Sequence, residues 1–168
     1  MAVERESNVE KAVSLFKDGF SCSQAVCAAY AEHYGLNREA ALRISGGFGG
    51  GIGRMGETCG ALSGAIIIIG LKHSGVKADD KAARLKTYEV VMEFLKRFRS
   101  RNNSILCREL IGCDISTPEG YKRALDEKII PTRCPKFVKD AAEILEEIVW
   151  RNGEMGGWGG WGDKEIGR

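Results

Sequence analysis

Two reciprocal capping boxes stand early in the chain, Ser7-Asn-Val-Glu10 and Ser21-Cys-Ser-Gln24. In each, the serine hydroxyl accepts the N–H three residues on, and the glutamate or glutamine reaches back to the serine N–H. Such a pair sets where a helix begins. Apolar residues then recur at helical spacing: Val9, Ala12, Val13 and Phe16 after the first box, Ala25, Val26, Ala29 and Tyr30 after the second. Gly19 and Gly35 supply the stops. The same signals continue along the chain. Asn37 caps a short helix through Ala41 and Ile44, and Thr58 caps a helix that ends near Gly75. Asp79 or Asp80 opens the longest helix, through Leu85, Tyr88, Val91, Met92, Leu95 and Phe98. Its basic last turns (Lys96, Arg97, Arg99, Arg101) read as a solvated helix end that complements the dipole. Ser104 to Ile111 reads as a short helix stopped by Gly112. Ser116-Thr-Pro-Glu119 is another start, and Cys134-Pro135 opens the last helix, through Val138, Ala142, Leu145 and Val149.

No segment alternates as a half-buried strand would. Ile66 to Ile69 has a strand-like composition, but it follows a capped Cys-Gly-Ala start and reads as buried helix. The expected fold is all-α: a single-domain helical bundle of about eight helices, with a glycine-rich loop before the Cys-Gly-Ala-x-x-Gly helix. The domain is expected over residues 1–151, and a flexible Gly/Trp-rich tail over 152–168.

The chain's 168 residues suit one domain with a real core. A net charge of +2, with both signs plentiful, gives no support for a nucleic-acid partner. The opening residues are charged, and the longest apolar run, Ala65 to Leu71, is far short of the roughly 20 residues a membrane span requires. A cytoplasmic protein without membrane insertion is expected. In a reducing compartment its six cysteines remain thiols rather than a permanent disulfide framework.

The glycine run Gly46 to Gly56 contains Gly51-Ile-Gly-Arg-Met-Gly56, which matches a dinucleotide fingerprint by letter. That motif needs a strand before it and a second strand after it, and neither is present; no Lys-Ser or Lys-Thr closes a P-loop either. Glycines do allow positive φ and close backbone approach, and successive N–H groups in such a loop can form an anion-binding nest. Gly49, Gly50, Gly51 and Gly60 are therefore candidate contacts to a cofactor next to Cys59, while Gly60 and Gly64 also suit close helix packing.

Four of the six cysteines sit at expected helix starts: Cys22 after Ser21, Cys59 after Thr58, Cys107 after Ser104, and Cys134 before Pro135. Unpaired N–H groups and the partial positive charge there favour a thiolate, the form that attacks disulfides and binds metal. Cys22 and Cys27 lie five apart on one helix and point roughly 140° from each other, so they do not easily share one small centre. Cys27 reads as a packing residue, and Cys113 lacks a helix start of its own. The absence of a Cys-x-x-Cys pair argues against a zinc ribbon or a thioredoxin-type motif.

With these residues in place, the chain resembles the C-GCAxxG-C-C family, named for suspected redox activity and without an established substrate. The resemblance rests on Phe20-Ser-Cys-Ser-Gln-Ala-Val26, Phe48-Gly-Gly-Gly-Ile52, Glu57-Thr-Cys-Gly-Ala-Leu-Ser-Gly64, Cys107-Arg-Glu-Leu-Ile-Gly112 and Cys134-Pro-Lys-Phe-Val138. It implies four defining cysteines, here Cys22, Cys59, Cys107 and Cys134, around a Cys-Gly-Ala-x-x-Gly motif running from Cys59 to Gly64. The family is also similar to a domain of split-Soret cytochromes, where an iron–sulfur site has been suspected; their haem motif Cys-x-x-Cys-His does not occur here.

The expected function is redox. In the first reading, Cys22, Cys59, Cys107 and Cys134 ligate an iron–sulfur cluster for electron transfer. In the second, a metal-free thiol–disulfide oxidoreductase cycles two of them, with Cys59 and Cys22 as catalytic residues. A structural zinc-binding or partner-binding helical module is the third. An unidentified redox partner and a homodimer are the partners considered.

Overall fold

The computed structural model describes residues 7–149. The expected tail over 152–168 lies outside the described residues. The domain is all-α, as expected. Its helices are α1 (Asn8–Lys17), α2 (Cys22–Tyr30), α3 (Arg38–Ser45), α4 (Gly60–His73), α5 (Lys81–Asn102), α6 (Cys107–Ile111), α7 (Pro118–Asp126) and α8 (Ile129–Val149). Short 3-10 turns extend α2 at Ala31–Tyr34 and α3 at Gly46–Phe48.

Both capping boxes form in full, at Ser7 with Glu10 and at Ser21 with Gln24. Asn37, Asp80 and Thr117 each accept an N–H at the start of α3, α5 and α7. Glycines in the left-handed region close the 3-10 turn after α2, at Gly35, and α6, at Gly112.

Three starts differ from the expectation; the first is the short helix expected from Ser104, which begins at Cys107 with Leu106 at its N-cap. Thr58 does not cap α4. Cys59 takes the N-cap position, with no side-chain hydrogen bond, and Thr58 instead pairs in antiparallel fashion with Leu106. The last helix begins at Ile129, so Cys134 lies inside α8 rather than at its start. Pro131 is the proline in the first turn, where a missing N–H costs nothing. Pro135 lies in the helix interior and offers no N–H to the Pro131 carbonyl. A Cys-Pro pair looks alike in either setting, which is why the sequence places the start too late.

Helix α2 runs through the centre: every residue from Ala25 to Tyr30 is buried. A helix that is apolar on all sides belongs in a core, and α4, with its Ala65-Ile-Ile-Ile-Ile69 run, is the second such element. They approach closely because α4 presents glycines to α2. A Cβ at Gly64 would stand 2.5 Å from the Ser23 carbonyl oxygen and one at Gly60 3.2 Å from the Ser23 nitrogen. Tyr30 crosses from α2 to α8, donating from its hydroxyl to Glu146 Oε1 at 3.1 Å. Phe94 and Phe98 of α5 and Ile144 and Leu145 of α8 are also fully buried.

At the basic end of α5, Lys96 and Arg99 are exposed as expected, while Arg97 and Arg101 form ion pairs that clamp the helix to α8. Arg97 bonds Glu93 at 2.7 Å, and Arg101 reaches Glu143 at 2.9 Å and Glu147 at 2.6 Å on α8. Such half-exposed pairs add little stability singly, and their arrangement sets how α5 lies along α8.

Between α3 and α4 the chain makes a left-handed coil. Gly50, Gly51, Ile52, Gly53 and Arg54 all have φ between 56° and 71°. Glycine adopts this conformation freely; Ile52, β-branched and 45% exposed, does so at a cost. Ile52→Gly is expected to raise stability by about 1 kcal/mol. Gly64→Ala is expected to lower it by about 2 kcal/mol, because its Cβ would overpack the α2 backbone. Urea unfolding of both variants checks the pair; equal and small effects would contradict the packing described.

Candidate functional site

The four expected site cysteines arrive on four separate elements. Cys22 is the first residue of α2, Cys59 the N-cap of α4, Cys107 the first residue of α6, and Cys134 faces inward from the second turn of α8. All four line a single cavity of about 740 Å³. Cys27 and Cys113 do not. Cys27 is fully buried within α2, and Cys113 donates from its thiol to the Gly120 carbonyl at 3.1 Å. All six are free thiols.

A short antiparallel pairing sets Cys59 beside Cys107. The Cys59 N–H donates to the Ile105 carbonyl at 2.9 Å, the Cys107 N–H to the Glu57 carbonyl at 2.6 Å, and the Arg108 N–H to the Gly56 carbonyl at 3.0 Å. An ion pair between Arg108 and Glu57 ties the same two segments. No sequence signal announces a pairing this short. Cys22 reaches the site through the α2–α4 contact, where a Cβ on Gly60 would lie 3.4 Å from the Cys22 Cβ.

The glycine candidates divide. Gly50 and Gly60 line the cavity. Gly49 packs on Ser21, with a Cβ there only 2.8 Å from the Ser21 Cβ, and Gly51 packs on Cys107, at 2.7 Å from its Cβ. The loop's N–H groups at Ile52, Gly53, Arg54, Gly56 and Glu57 donate to carbonyls of the loop itself, between Gly47 and Ile52 or onto Gly51. Those five are not available as an anion nest, and Gly51 packs behind Cys107.

The rest of the wall is mostly apolar, including Phe16, Phe20, Ile111, Ile130 and Phe137, with Lys17, Ser21 and Gln24 as polar members. Nothing in the sequence marks these apolar residues directly, although Phe20 and Phe137 lie within three positions of a site cysteine.

Burial alters the thiolate argument. It pushes Cys59 up to about 12, more than the N–H groups of Ala61 and Leu62 at the start of α4 pull it down. Burial also pushes Cys107 up to about 12, and the neighbouring Cys59 and Cys134 sulfurs add to this. Cys22 and Cys134 behave as a pair. The interaction between the two sulfurs holds Cys134 below its ordinary value, and the same interaction together with burial holds Cys22 well above. The most acidic thiol of the four is thus the one that does not start a helix, and a neighbouring thiol is the cause.

Among the described residues, no three His, Cys, Asp or Glu side chains stand close enough around one point to ligate a single ion as placed. A tetrahedral zinc–thiolate site brings sulfurs within about 4 Å of one another, given Zn–S bonds of about 2.3 Å.

A family profile described as "Putative redox-active protein (C_GCAxxG_C_C)" matches residues 20–148. The chain belongs to this family. Its name spells Gly-Cys-Ala-x-x-Gly, whereas this member reads Cys59-Gly-Ala-Leu-Ser-Gly64, with the first two letters exchanged. The matched span holds all four site cysteines as well as Cys27 and Cys113. No curated protein and no solved structure matches the chain. Among the described residues, no helix is long and apolar enough to cross a membrane.

In reduced, metal-free protein at neutral pH, iodoacetamide is expected to label Cys134 ahead of Cys22, Cys59 and Cys107, as read by peptide mass spectrometry. Uniform labelling rates would contradict the ranking. The raised values of Cys59 and Cys107 also bear on stability. A buried thiol stabilises the fold fully below about pH 9, the value it regains on unfolding, and that contribution is lost between about pH 9 and 12. A Cys59→Ala/Cys107→Ala protein should therefore show a shallower fall in unfolding free energy across that window than the parent.

Proposed function

We propose that this chain is a redox protein whose Cys22, Cys59, Cys107 and Cys134 hold an iron–sulfur cluster. One observation carries the reading: these four cysteines, and not Cys27 or Cys113, line one cavity from four different helices. The donor set fits such a cluster, which is commonly held by four thiolates. A cluster distributes its ligands over several irons, so it does not require three sulfurs around one point, an arrangement that does not occur among the described residues. When bound, the group would supply one-electron transfer. The chain's own residues would tune it: Ala61 and Leu62 direct N–H groups at the Cys59 sulfur, which favours the reduced state, and the apolar wall limits water. A reducing cytoplasm suits the reading, since all six thiols are unpaired.

A second reading has an observation of its own. Cys22 and Cys134 line the same cavity, and the pairing of their sulfurs, which lowers Cys134 and raises Cys22, favours these two as a metal-free redox couple. Cys134, in place of Cys59, would attack a disulfide of the redox partner and release one partner thiol, and Cys22 would then displace the second, leaving a Cys22–Cys134 disulfide and the partner reduced by two electrons.

Anaerobically purified or reconstituted protein is expected to be brown, to contain iron and sulfide, and to lose most of both in Cys22→Ser, Cys59→Ser, Cys107→Ser and Cys134→Ser but not in Cys27→Ser or Cys113→Ser. Colourless, iron-free protein after reconstitution would end the cluster reading. A reversible loss of two titratable thiols on mild oxidation would then support the dithiol.

A further inference from the structure

The cavity is larger, and its opening more selective, than four sulfurs require. A volume of about 740 Å³ lies well within the range of small-molecule sites, about 300–1,000 Å³. An iron–sulfur core brings only about four to eight atoms. Phe20 and Tyr121 are aromatic parts of the lining, and each carries an arginine on its ring. The Arg38 guanidinium stands 5.8 Å from the Phe20 centroid and that of Arg54 4.0 Å from the Tyr121 centroid. Lys17 belongs to the lining itself, and no aspartate or glutamate does.

These three cations differ from half of the ten arginines among the described residues. Arg43, Arg97, Arg101, Arg108 and Arg123 are each matched by a glutamate. Lys17, Arg38 and Arg54 are exposed and form no ion pair among the described residues. Charges of one sign around an apolar opening focus the field there and raise the local concentration of anions. Apolar walls that include two aromatic rings exclude a well-hydrated inorganic anion and favour a ligand whose body is flat and apolar.

We propose that the cavity is a binding site for a small organic anion with a planar apolar body. Its ring system packs with Phe20 and Tyr121, and its carboxylate or sulfonate faces Lys17, Arg38 and Arg54. This deepens the redox reading by naming what would lie against the cysteines; the binding itself requires no cluster.

Two probes of matched shape test it on the full-length chain by equilibrium dialysis, which reads occupancy whether or not iron is present. They are 8-anilinonaphthalene-1-sulfonate, an anion, and N-phenyl-1-naphthylamine, its neutral counterpart. The anion is expected to occupy one site and to slow iodoacetamide labelling of Cys22 and Cys134. Lys17→Glu and Arg54→Glu should each weaken it by about fivefold, as should high salt, with the neutral probe little changed. Should a charge reversal disturb folding, the salt titration of the parent protein reads the same contrast between the probes. Equal responses of the two probes, insensitivity to charge and salt, or no protection of the cysteines would overturn the proposal. Iron-free protein that binds the anion selectively would retire the cluster and keep this site. Iron-loaded protein without selective binding would do the reverse.

Discussion

The close contact between α2 and α4 governs the arrangement. Two glycines on α4 let its backbone lie against Ser23, and this seats the first residue of α2 beside the start of α4. With side chains in place of Gly60 and Gly64, the helices would stand further apart and Cys22 would withdraw from Cys59. Packing glycines and chemical cysteines are therefore parts of one feature. The Cys59-Gly-Ala-Leu-Ser-Gly64 segment joins a sulfur to the surface that positions its neighbour.

The remaining two cysteines are placed by different means. Cys107 is held by backbone pairing between the segments around Thr58 and Leu106, with the glycine loop packed behind it. Cys134 rides on α8, whose far end is secured by Tyr30 and by Arg97 and Arg101. Residues distant from the cavity thus determine where this sulfur points. The inner turns of α8 near Pro135 lack one helical hydrogen bond, so positional control at Cys134 comes from packing more than from the helix ladder.

Much of the fold is legible in the sequence because it is written in local chemistry. Ser7, Ser21, Asn37 and Asp80 announce helix starts through bonds only three residues long. The differences arise where that logic gives out. At Thr58 a tertiary backbone pairing displaces a plausible cap, and at Pro135 a helix continues through a residue that normally stops it. The four cysteines of the cavity are legible too, although helix starts explain only three of them. Cys22, Cys59 and Cys107 stand at such starts, whereas Cys134 reaches the site from inside a helix. The acidity of the thiols is not legible, because it depends on burial and on which sulfur faces which. The cationic surroundings of Phe20 and Tyr121 have no local signature either, since Arg38 and Arg54 meet those rings across the fold.

The dispersal of the cysteines along the chain has a thermodynamic side. A Cys-x-x-Cys motif can be joined or metallated with little effect on the rest of a protein. Here a bond between Cys22 and Cys134 would close a loop containing most of the domain, and cross-links over loops of about 100 residues remove roughly 4–5 kcal/mol of unfolded-state entropy in the chain-entropy model. A cluster held by all four would tie the same distant segments together. Either link would therefore couple so small a site to the lifetime of the entire fold: the reduced, unligated chain would be the form most open to unfolding and proteolytic turnover.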